Sequence, residues 1–276
     1  MILIALLIVL TLIGAVILYM ISPAKRREIF LSNGPKYYAH RGLYTADQTV
    51  PENSLPAFSL AVHRNYGIEL DVQLTKDGKI VVFHDDDLLR CTGIRGRTGD
   101  YTYDELERGM RLFDTDCRIP LFHDVLGLIC GKVPLIIELK ACPEWRELCR
   151  SVLHELNTYE GLYCVESFDP KIVNWYRIHA PEIIRGQLSE QYRHSFRQFG
   201  PVLSFCSSRL LGNFLSRPDF IAYRLGRRPL LAEIAWRMSS CRVGWTMGPS
   251  EASKHLSGDS DILIFEHLDP DETVSA

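Results

Sequence analysis

The sequence predicts an α/β fold, a TIM (β/α)8 barrel with a small insertion after its second strand, preceded by an N-terminal transmembrane helix. Short apolar runs recur along the chain, and helix-like stretches with apolar residues every three or four positions separate them. The short runs are apolar almost throughout, which is typical of parallel strands buried on both faces. Such a repeated alternation is what a closed barrel requires, and an open doubly wound sheet is the alternative arrangement.

The composition favours one domain that acts on a small substrate. The chain has 276 residues, of which 46% are hydrophobic, so it can bury one sizeable core. Its formal net charge of -3 gives no electrostatic reason to expect a nucleic acid as a partner. The eight cysteines form no CxxC pair, which favours reduced thiols over a zinc site or a disulfide framework. No protein partner is evident.

Residues 1–22 predict a membrane anchor. They contain no charged side chain, and as a helix they are long enough to cross a hydrocarbon core of ~30 Å. A cleaved signal peptide is the alternative. However, no basic residue precedes the apolar run, no A-x-A-like site follows it, and it exceeds the usual length of roughly 7 to 15 residues.

A basic cluster follows the predicted span. Lys25, Arg26 and Arg27 lie in a juxtamembrane segment over residues 23–35, and the barrel is expected over residues 36–276. Because basic residues that flank a span tend to stay on the cytoplasmic side, we expect a single-pass membrane protein with its catalytic domain in the cytoplasm. Reduced cysteines agree with that compartment.

Eight apolar runs are the predicted barrel strands. In chain order they occupy residues 36–40, 68–73, 134–139, 162–167, 183–187, 219–223, 242–246 and 261–265. Helices are predicted over residues 53–66, 142–156, 169–180 and 228–240. Asn53 or Ser54 suits the start of the first of these helices, and Asp169, followed by a proline, suits the start of the third.

Two stretches interrupt this alternation. Residues 80–85 form a strand-like run soon after the second strand, with Lys-Asp-Gly between them, which predicts an antiparallel hairpin. Residues 85–118 then contain four glycines and many charges. We interpret this stretch as an insertion that covers the mouth of the barrel.

Three carboxylates predict a metal site. Glu69 and Asp71 are two residues apart in one strand, so their side chains leave it on the same face, and Glu138 ends the next strand. Buried carboxylates must protonate or recruit a cation, and a set of oxygen ligands without cysteine favours Ca²⁺ or Mg²⁺. The alternative is an internal salt-bridge network with Arg41 and Lys140.

Two histidines are candidates for acid/base chemistry. His40 and His84 each end an apolar run directly before polar residues, and the ordinary imidazole pKa of about 6.5 suits proton transfer near neutral pH. A single histidine is more often structural, but here two occur together with the acidic cluster. We assign no role to the other seven, which are His63, His123, His154, His179, His194, His255 and His267.

Four ordered blocks resemble the signature of the glycerophosphodiester phosphodiesterase family. They are HRG at 40–42, PENS at 51–54, IELDVQLTKDGKIVVFHD at 68–85 and IELK at 137–140. The resemblance implies a TIM barrel with an insertion after its second strand. It also implies hydrolysis of glycerophosphodiesters to glycerol 3-phosphate and an alcohol, with one divalent metal ion and two histidines.

By motif position, the resemblance implies a role for each candidate. It gives His40 and His84 the acid/base roles. It makes Glu69, Asp71 and Glu138 the metal ligands, with Glu52 either a further ligand or a residue that supports the following helix. It assigns the phosphate to Arg41 and Lys140, and it implies that Phe168 and Trp245 face the substrate.

Later parts of the chain depart from the family pattern. Many members have Val-Asn where this chain has Met247 and Gly248, and many end the eighth strand with Gly-Ile-Ile-Thr-Asp where this chain has ILIFEH at 262–267. The substrate is therefore left open between a glycerophosphodiester and a lysophospholipid. A phospholipase C-like phosphodiesterase and a non-catalytic, membrane-tethered module that binds phospholipid headgroups are the alternative functions.

Overall fold

The computed structural model describes residues 1–25, 34–191, 200–250, 252 and 258–271. Helix α1 (Ile2–Ile21) is apolar along its whole length, and its side chains are exposed except near its C-terminal end, where Ile21 is buried. Within the described ranges it is the one helix whose length and composition would allow it to cross a membrane, and a signal sequence would meet the same criteria. Arg26 and Arg27 of the predicted basic cluster, with most of the juxtamembrane segment, lie outside the described residues.

Nine strands form one sheet. They are β1 (Tyr37–His40), β2 (Gly67–Leu74), β3 (Ile80–Val82), β4 (Leu135–Leu139), β5 (Tyr163–Ser167), β6 (Arg185–Ser189), β7 (Phe220–Arg224), β8 (Arg242–Met247) and β9 (Ile262–Phe265). All except β3 are parallel, and β1 pairs with both β2 and β9, which closes the sheet. This closure confirms the predicted barrel and excludes the open doubly wound alternative.

The strand β3 is antiparallel to the end of β2, as the hairpin prediction requires. The inserted stretch after it contains α3 (Leu89–Thr92), a 3₁₀ turn (Thr98–Asp100) and α4 (Tyr103–Gly109). A small apolar cluster of its own, which includes Val81 and Leu106, packs this insertion against the hairpin.

The remaining helices are α2 (Leu55–His63), α5 (Phe122–Ile129), α6 (Trp145–Leu156), α7 (Pro170–His179), α8 (Gly200–Ser208), α9 (Asn213–Ser216) and α10 (Leu230–Met238). Ser54 caps α2 by accepting a hydrogen bond from the Ala57 amide, and Asp169 caps α7 in the same way through the Lys171 amide. Both predicted helix starts are therefore confirmed, with Ser54 rather than Asn53 as the cap.

The prediction placed the fifth barrel strand at residues 183–187, but β6 begins and ends two residues later. Its last residues include Ser189, which is polar but fully buried. A hydropathy pattern assigns polar residues at the end of a strand to a loop, so it ended this strand too early. The pattern also did not single out α5, α8 and α9 as helices.

Aromatic rings fill the base of the barrel. A Cβ atom on Gly67 would lie 2.5 Å from the ring of Tyr38, and one on Gly186 would lie 2.2 Å from the ring of Phe220. Glycine at these two positions therefore makes room for the rings, which pack with other interior side chains such as Ile136. Because the base is filled with apolar groups, the open space lies at the carboxyl ends of the strands.

Candidate active site

A cavity of about 650 Å³ opens at the carboxyl ends of the barrel strands. Its lining is dominated by charged and polar side chains contributed by several different strands and their following loops, as in other barrels of this type. The ionisable and polar residues that line it include His40, Arg41, Tyr44, Gln48, Glu52, Glu69, His84, Arg90, Glu138, Glu166, Arg224 and Glu266.

The three predicted metal ligands converge at this cavity, and Glu69 and Glu138 line it. Glu69 and Asp71 project from β2, and Glu138 projects from β4, whose Cα partner on β2 is Asp71. One carboxylate oxygen of each lies within 4.8 Å of those of the other two, and all three side chains are buried. A set of three buried carboxylate oxygens fits a hard divalent cation such as Ca²⁺ or Mg²⁺.

Lys140 neutralises part of this charge. Its Nζ atom lies 2.8 Å from Oδ1 of Asp71 and 2.9 Å from Oε1 of Glu138. Burial would raise the pKa of Asp71, but Lys140, together with the other nearby cationic groups, holds it well below its ordinary value. Asn53 adds a hydrogen bond of 2.8 Å from its Nδ2 atom to Oδ2 of Asp71.

Glu69 is in the opposite situation. Burial raises its pKa, and the neighbouring carboxylates of Asp71 and Glu138 raise it further. Its Oε2 atom accepts a hydrogen bond of 3.1 Å from the backbone amide of Arg41. The anionic form of Glu69 therefore lacks a full counter-charge from the protein, which is the electrostatic condition under which a bound cation is most strongly favoured.

His40 lies at the edge of the acidic cluster, with its Nε2 atom 4.0 Å from Oε2 of Glu69. On the other side of its ring, Nδ1 lies 2.7 Å from Oε2 of Glu266, and the Tyr44 hydroxyl donates to the same oxygen over 2.9 Å. Burial lowers the pKa of His40, and the nearby Arg41 lowers it further. His40 is thus a neutral imidazole held by a carboxylate.

His84 has a comparable partner. Its Nδ1 atom lies 2.7 Å from Oδ1 of Asp85, and Arg90 holds Asp85 through Nε and Nη2 at 2.6 and 2.9 Å. Burial lowers the pKa of His84 to about 4, with a further contribution from the Lys140 ammonium group. The two histidines are therefore alike in charge state and in the way that a carboxylate orients them.

Glu52 is bound by arginines in this structure. Its carboxylate accepts hydrogen bonds from Arg41 Nη1 at 2.7 Å and from Arg90 Nη2 and Nη1 at 2.6 and 3.0 Å. The two predicted roles of Glu52, as a further metal ligand or as a support of α2, stay predictions. The observed contacts are those with the two arginines. They fit a group that positions two guanidinium groups at the cavity wall.

Two aromatic rings also line the cavity. Phe168 and Trp245 meet edge to face, with their ring centroids 5.7 Å apart, and both line the cavity. The indole Nε1 of Trp245 is buried and donates no hydrogen bond to the described residues. Arg224 lies over the indole ring at 6.0 Å and pairs with Glu190 at 2.9 Å.

Sequence reasoning missed two carboxylates of the site, Glu166 and Glu266. Glu166 is the Cα partner of Glu138 on β5; it is 2% exposed, and its Oε2 atom has no hydrogen-bond partner among the described residues. Glu266 directly follows β9 and orients His40. Both stand at the carboxyl end of an apolar run, so the rule that identified Glu138 could also have found them.

Comparison with known proteins identifies the family that this chain resembles. The model of the glycerophosphoryl diester phosphodiesterase family matches residues 40–220. A glycerophosphodiester phosphodiesterase from Bacillus altitudinis is 42% identical over 111 residues, which are 38% of this chain and 44% of that protein. Lysophospholipase D GDPD1 from Homo sapiens is 33% identical over 128 residues, which are 42% of this chain and 38% of that protein. The chain thus aligns with less than half the length of each of these two relatives.

A solved structure supports the fold. A phosphodiesterase from Oleispira antarctica, solved in complex with the product sn-glycerol-3-phosphate, superposes with a TM-score of 0.71 at 21% identity. The superposition covers 89% of this chain and 98% of that chain. At this level of identity, the likeness establishes the barrel architecture.

Proposed function

The chain belongs to the glycerophosphoryl diester phosphodiesterase family, and on that premise we propose that it hydrolyses glycerophosphodiesters or lysophospholipids to a glycerol phosphate and an alcohol. One observation carries this proposal. Two histidines, each oriented by a carboxylate, stand beside a cluster of three buried carboxylates at the open end of the barrel. A retired site or a plain headgroup-binding module would have no need of two oriented proton carriers.

In this proposal Glu69, Asp71 and Glu138 hold one divalent cation, Ca²⁺ or Mg²⁺. When bound, the ion would stabilise the negative charge that develops on the phosphate oxygens during attack. Two cationic groups of the protein offset these three buried carboxylates, namely the Lys140 ammonium group and the Arg41 guanidinium group, whose Nε atom lies 3.8 Å from Oδ2 of Asp71. The three ionised carboxylates still exceed this positive charge, which supports the assignment.

His40 and His84 are the proposed acid/base pair. Because Nδ1 of each ring faces a carboxylate, the Nε2 atom of each is left to exchange a proton with the substrate. One imidazole takes the proton of the attacking hydroxyl, from the substrate's glycerol or from water, as its oxygen bonds to phosphorus. The other gives a proton to the alcohol oxygen as the bond between that oxygen and phosphorus breaks. To do so, it must first take up a proton at Nε2 and enter the reaction as an imidazolium.

Arg41 and Lys140 are the proposed phosphate-binding residues. The guanidinium group of Arg41 lines the cavity, and the Lys140 ammonium group lies between two of the acidic ligands. Although burial would lower the pKa of Lys140, the carboxylates of Asp71 and Glu138 raise it, so the group stays cationic. Phe168 and Trp245 would pack against the alcohol or glycerol portion of the substrate.

We further propose that α1 anchors the enzyme in a membrane, with the barrel in the cytoplasm. The apolar helix and the basic residues after it support this arrangement. An anchor would hold the cavity close to substrates that derive from lipids. The human lysophospholipase D relative supports a lysophospholipid as one of the two substrate classes.

The test is turnover by the full-length chain in detergent micelles. Glycerophosphocholine, glycerophosphoglycerol and lysophosphatidylcholine would be supplied with Ca²⁺, Mg²⁺ or EDTA. We expect activity that needs a divalent ion and is abolished by His40→Ala and Glu69→Ala. The control is His123→Ala, which changes an exposed histidine on α5. Folded protein that binds the metal ion but cleaves none of these substrates would contradict the proposal, and cleavage on the other side of phosphorus would indicate a phospholipase C-like enzyme.

A further inference from the structure

We propose that α8 and α9 form a second membrane contact, which lies on the lipid surface beside the anchor helix. The proposed contact surface, called here the α8–α9 surface, consists of the exposed side chains of Val202, Leu203, Phe205, Phe214 and Leu215. This inference rests on the proposed role of α1 as a membrane anchor and goes beyond it by naming a part of the barrel that touches lipid.

The first observation is that both helices are inverted relative to an ordinary barrel helix. The buried side chains of α8 are Ser204 and Ser208, and those of α9 are Asn213 and Ser216. The apolar side chains of the α8–α9 surface point outward instead, with Val202 73% and Leu203 57% exposed. A helix in contact with the core buries its apolar stripe, so the inversion indicates an apolar environment outside the barrel.

Each of the helices α2, α5, α6, α7 and α10 buries apolar side chains, although single ones such as Ile178 and Leu230 are exposed. In α6, Leu148 and Val152 are buried, whereas the charged residues Arg146, Glu147 and Arg150 are exposed. The fold therefore does not expose apolar helix faces in general. The exception is found where the chain passes from β6 to β7.

The second observation is that α9 is attached to the end of the predicted span. The Nδ2 atom of Asn213 donates to the carbonyl oxygen of Ile21 over 2.8 Å. Nη1 of Arg217 donates to the carbonyl oxygens of Ser22 and Tyr19 at 2.8 and 3.2 Å, and its guanidinium group lies 4.2 Å from the centre of the Tyr19 ring. The α9 part of the surface is thus fixed within about one helical turn of the point where α1 would leave the membrane, and α8 directly precedes it in the chain.

The third observation is the charge of the segment. Residues 200–217 contain two charged side chains, Arg209 and Arg217, and no acidic residue. Apolar side chains combined with basic ones are the composition of helices that lie in the interface of a membrane with anionic lipids. A second copy of the chain or a partner protein is a poorer match, because neither is placed at this surface by the attachment of α1.

The experiment places a fluorescent probe on the surface. Full-length Leu203→Trp protein would be reconstituted into phosphatidylcholine and phosphatidylglycerol vesicles whose acyl chains carry bromine, which quenches tryptophan fluorescence on contact. Leu89→Trp is the matched control, because Leu89 is also an exposed leucine, 45% exposed, and lies in the insertion after β2. In the closed order of strands, β2 is diametrically opposite β7.

After subtraction of the wild-type signal, we expect the new tryptophan of Leu203→Trp to be quenched about twofold or more above that of Leu89→Trp, as for a side chain at acyl depth. Equal quenching of the two variants, in protein that alkaline carbonate does not extract from the vesicles, would overturn the α8–α9 surface and leave the anchor standing. Extraction by carbonate would overturn the anchor and the surface together. Neither readout depends on phosphodiesterase activity, so the enzymatic proposal is tested separately.

Discussion

Nδ1 of His40 lies 2.7 Å from Oε2 of Glu266, so a carboxylate that follows the last barrel strand orients an imidazole that ends the first one. Burial would raise the pKa of Glu266, but its hydrogen bonds with His40 and Tyr44 lower it to about 2, and the carboxylate is therefore anionic throughout the neutral range. An anionic partner on Nδ1 selects the tautomer that leaves Nε2 free to accept a proton.

The first prediction concerns this pair. His40→Ala should lower kcat by about 10²- to 10⁴-fold, as expected for the loss of a general acid or base. Glu266→Gln should lower it by a smaller factor, because an amide still offers an oxygen to Nδ1 but no charge. If Glu266 acts through His40, the double variant should be no slower than His40→Ala alone. Steady-state kinetics of the three variants would check this, and additive losses would show that Glu266 acts on the substrate independently.

The second prediction concerns the acidic cluster. Glu69→Gln removes a buried carboxyl group. Burial and two neighbouring carboxylates oppose the ionisation of this group. The amide oxygen of glutamine can still accept the hydrogen bond from the Arg41 amide. We therefore expect a higher melting temperature than that of the wild type in EDTA. A ligand present at 100 times its Kd adds about 2.7 kcal/mol of stability, and Glu69→Gln should lose most of that gain from Ca²⁺ or Mg²⁺.

Thermal unfolding with and without the metal ion would measure both effects. Glu105→Gln, an exposed acidic residue on α4, is the control, and it should keep the full stabilisation by metal. A Glu69→Gln variant that is stabilised by metal as strongly as the wild type would remove Glu69 from the ligand set.

Local patterns predicted the barrel and the shared face of Glu69 and Asp71, for a physical reason. Alternation of apolar runs and amphipathic stretches reports burial directly, and the spacing of Glu69 and Asp71 determines that they share a face. The partners of the histidines could not be predicted in the same way. Glu266 meets His40 only because β9 closes against β1, and that pairing joins residues more than two hundred positions apart. No local pattern carries such information.

Helices α8 and α9 show a second limit of prediction from local patterns, which concerns the face of a helix that is buried. Their apolar residues did not identify them as helices, and which of their faces is buried depends on what surrounds the barrel. Ser204 and Asn213 are buried because their side chains find the carbonyl oxygens of Gly200 and Ile21. A hydropathy pattern assigns apolar residues to the core and would therefore assign the wrong face of both helices.

The third prediction concerns the cap of α2. Ser54 is fully buried, and its Oγ atom accepts from the Ala57 amide and donates to the carbonyl oxygen of Pro51. Ser54→Ala should lower the free energy of unfolding by about 1 kcal/mol through loss of the cap. It should also lower activity, because the adjacent Asn53 holds Asp71.

Thr102→Ala removes the comparable cap of α4 in the insertion, where Thr102 accepts from the Glu105 amide. We expect a similar loss of stability there and unchanged kcat/KM. Denaturant unfolding and steady-state kinetics would be measured on both variants. An equal loss of activity in the two would show that the Ser54 effect is a general consequence of lower stability.

The fourth prediction concerns pH. Burial, aided by Lys140, lowers the pKa of His84 to about 4 in the folded chain, whereas an unfolded histidine titrates near 6.5. Between these values the unfolded state binds more protons, so the contribution of His84 is fully present above pH 6.5 and is lost as the pH falls towards 4. As the pH falls across this window, the free energy of unfolding of the wild type should therefore decrease relative to that of His84→Gln, by less than about 1.4 kcal/mol per pH unit. Glu138, whose pKa burial raises to about 7, changes the absolute slope in the opposite direction, but it is present in both proteins.

Unfolding in EDTA between pH 4.5 and 7.5 measures this difference, with His123→Gln as the control. A constant difference would mean that the His84 imidazole titrates alike in the folded and unfolded chains, and that neither burial nor Lys140 keeps it neutral.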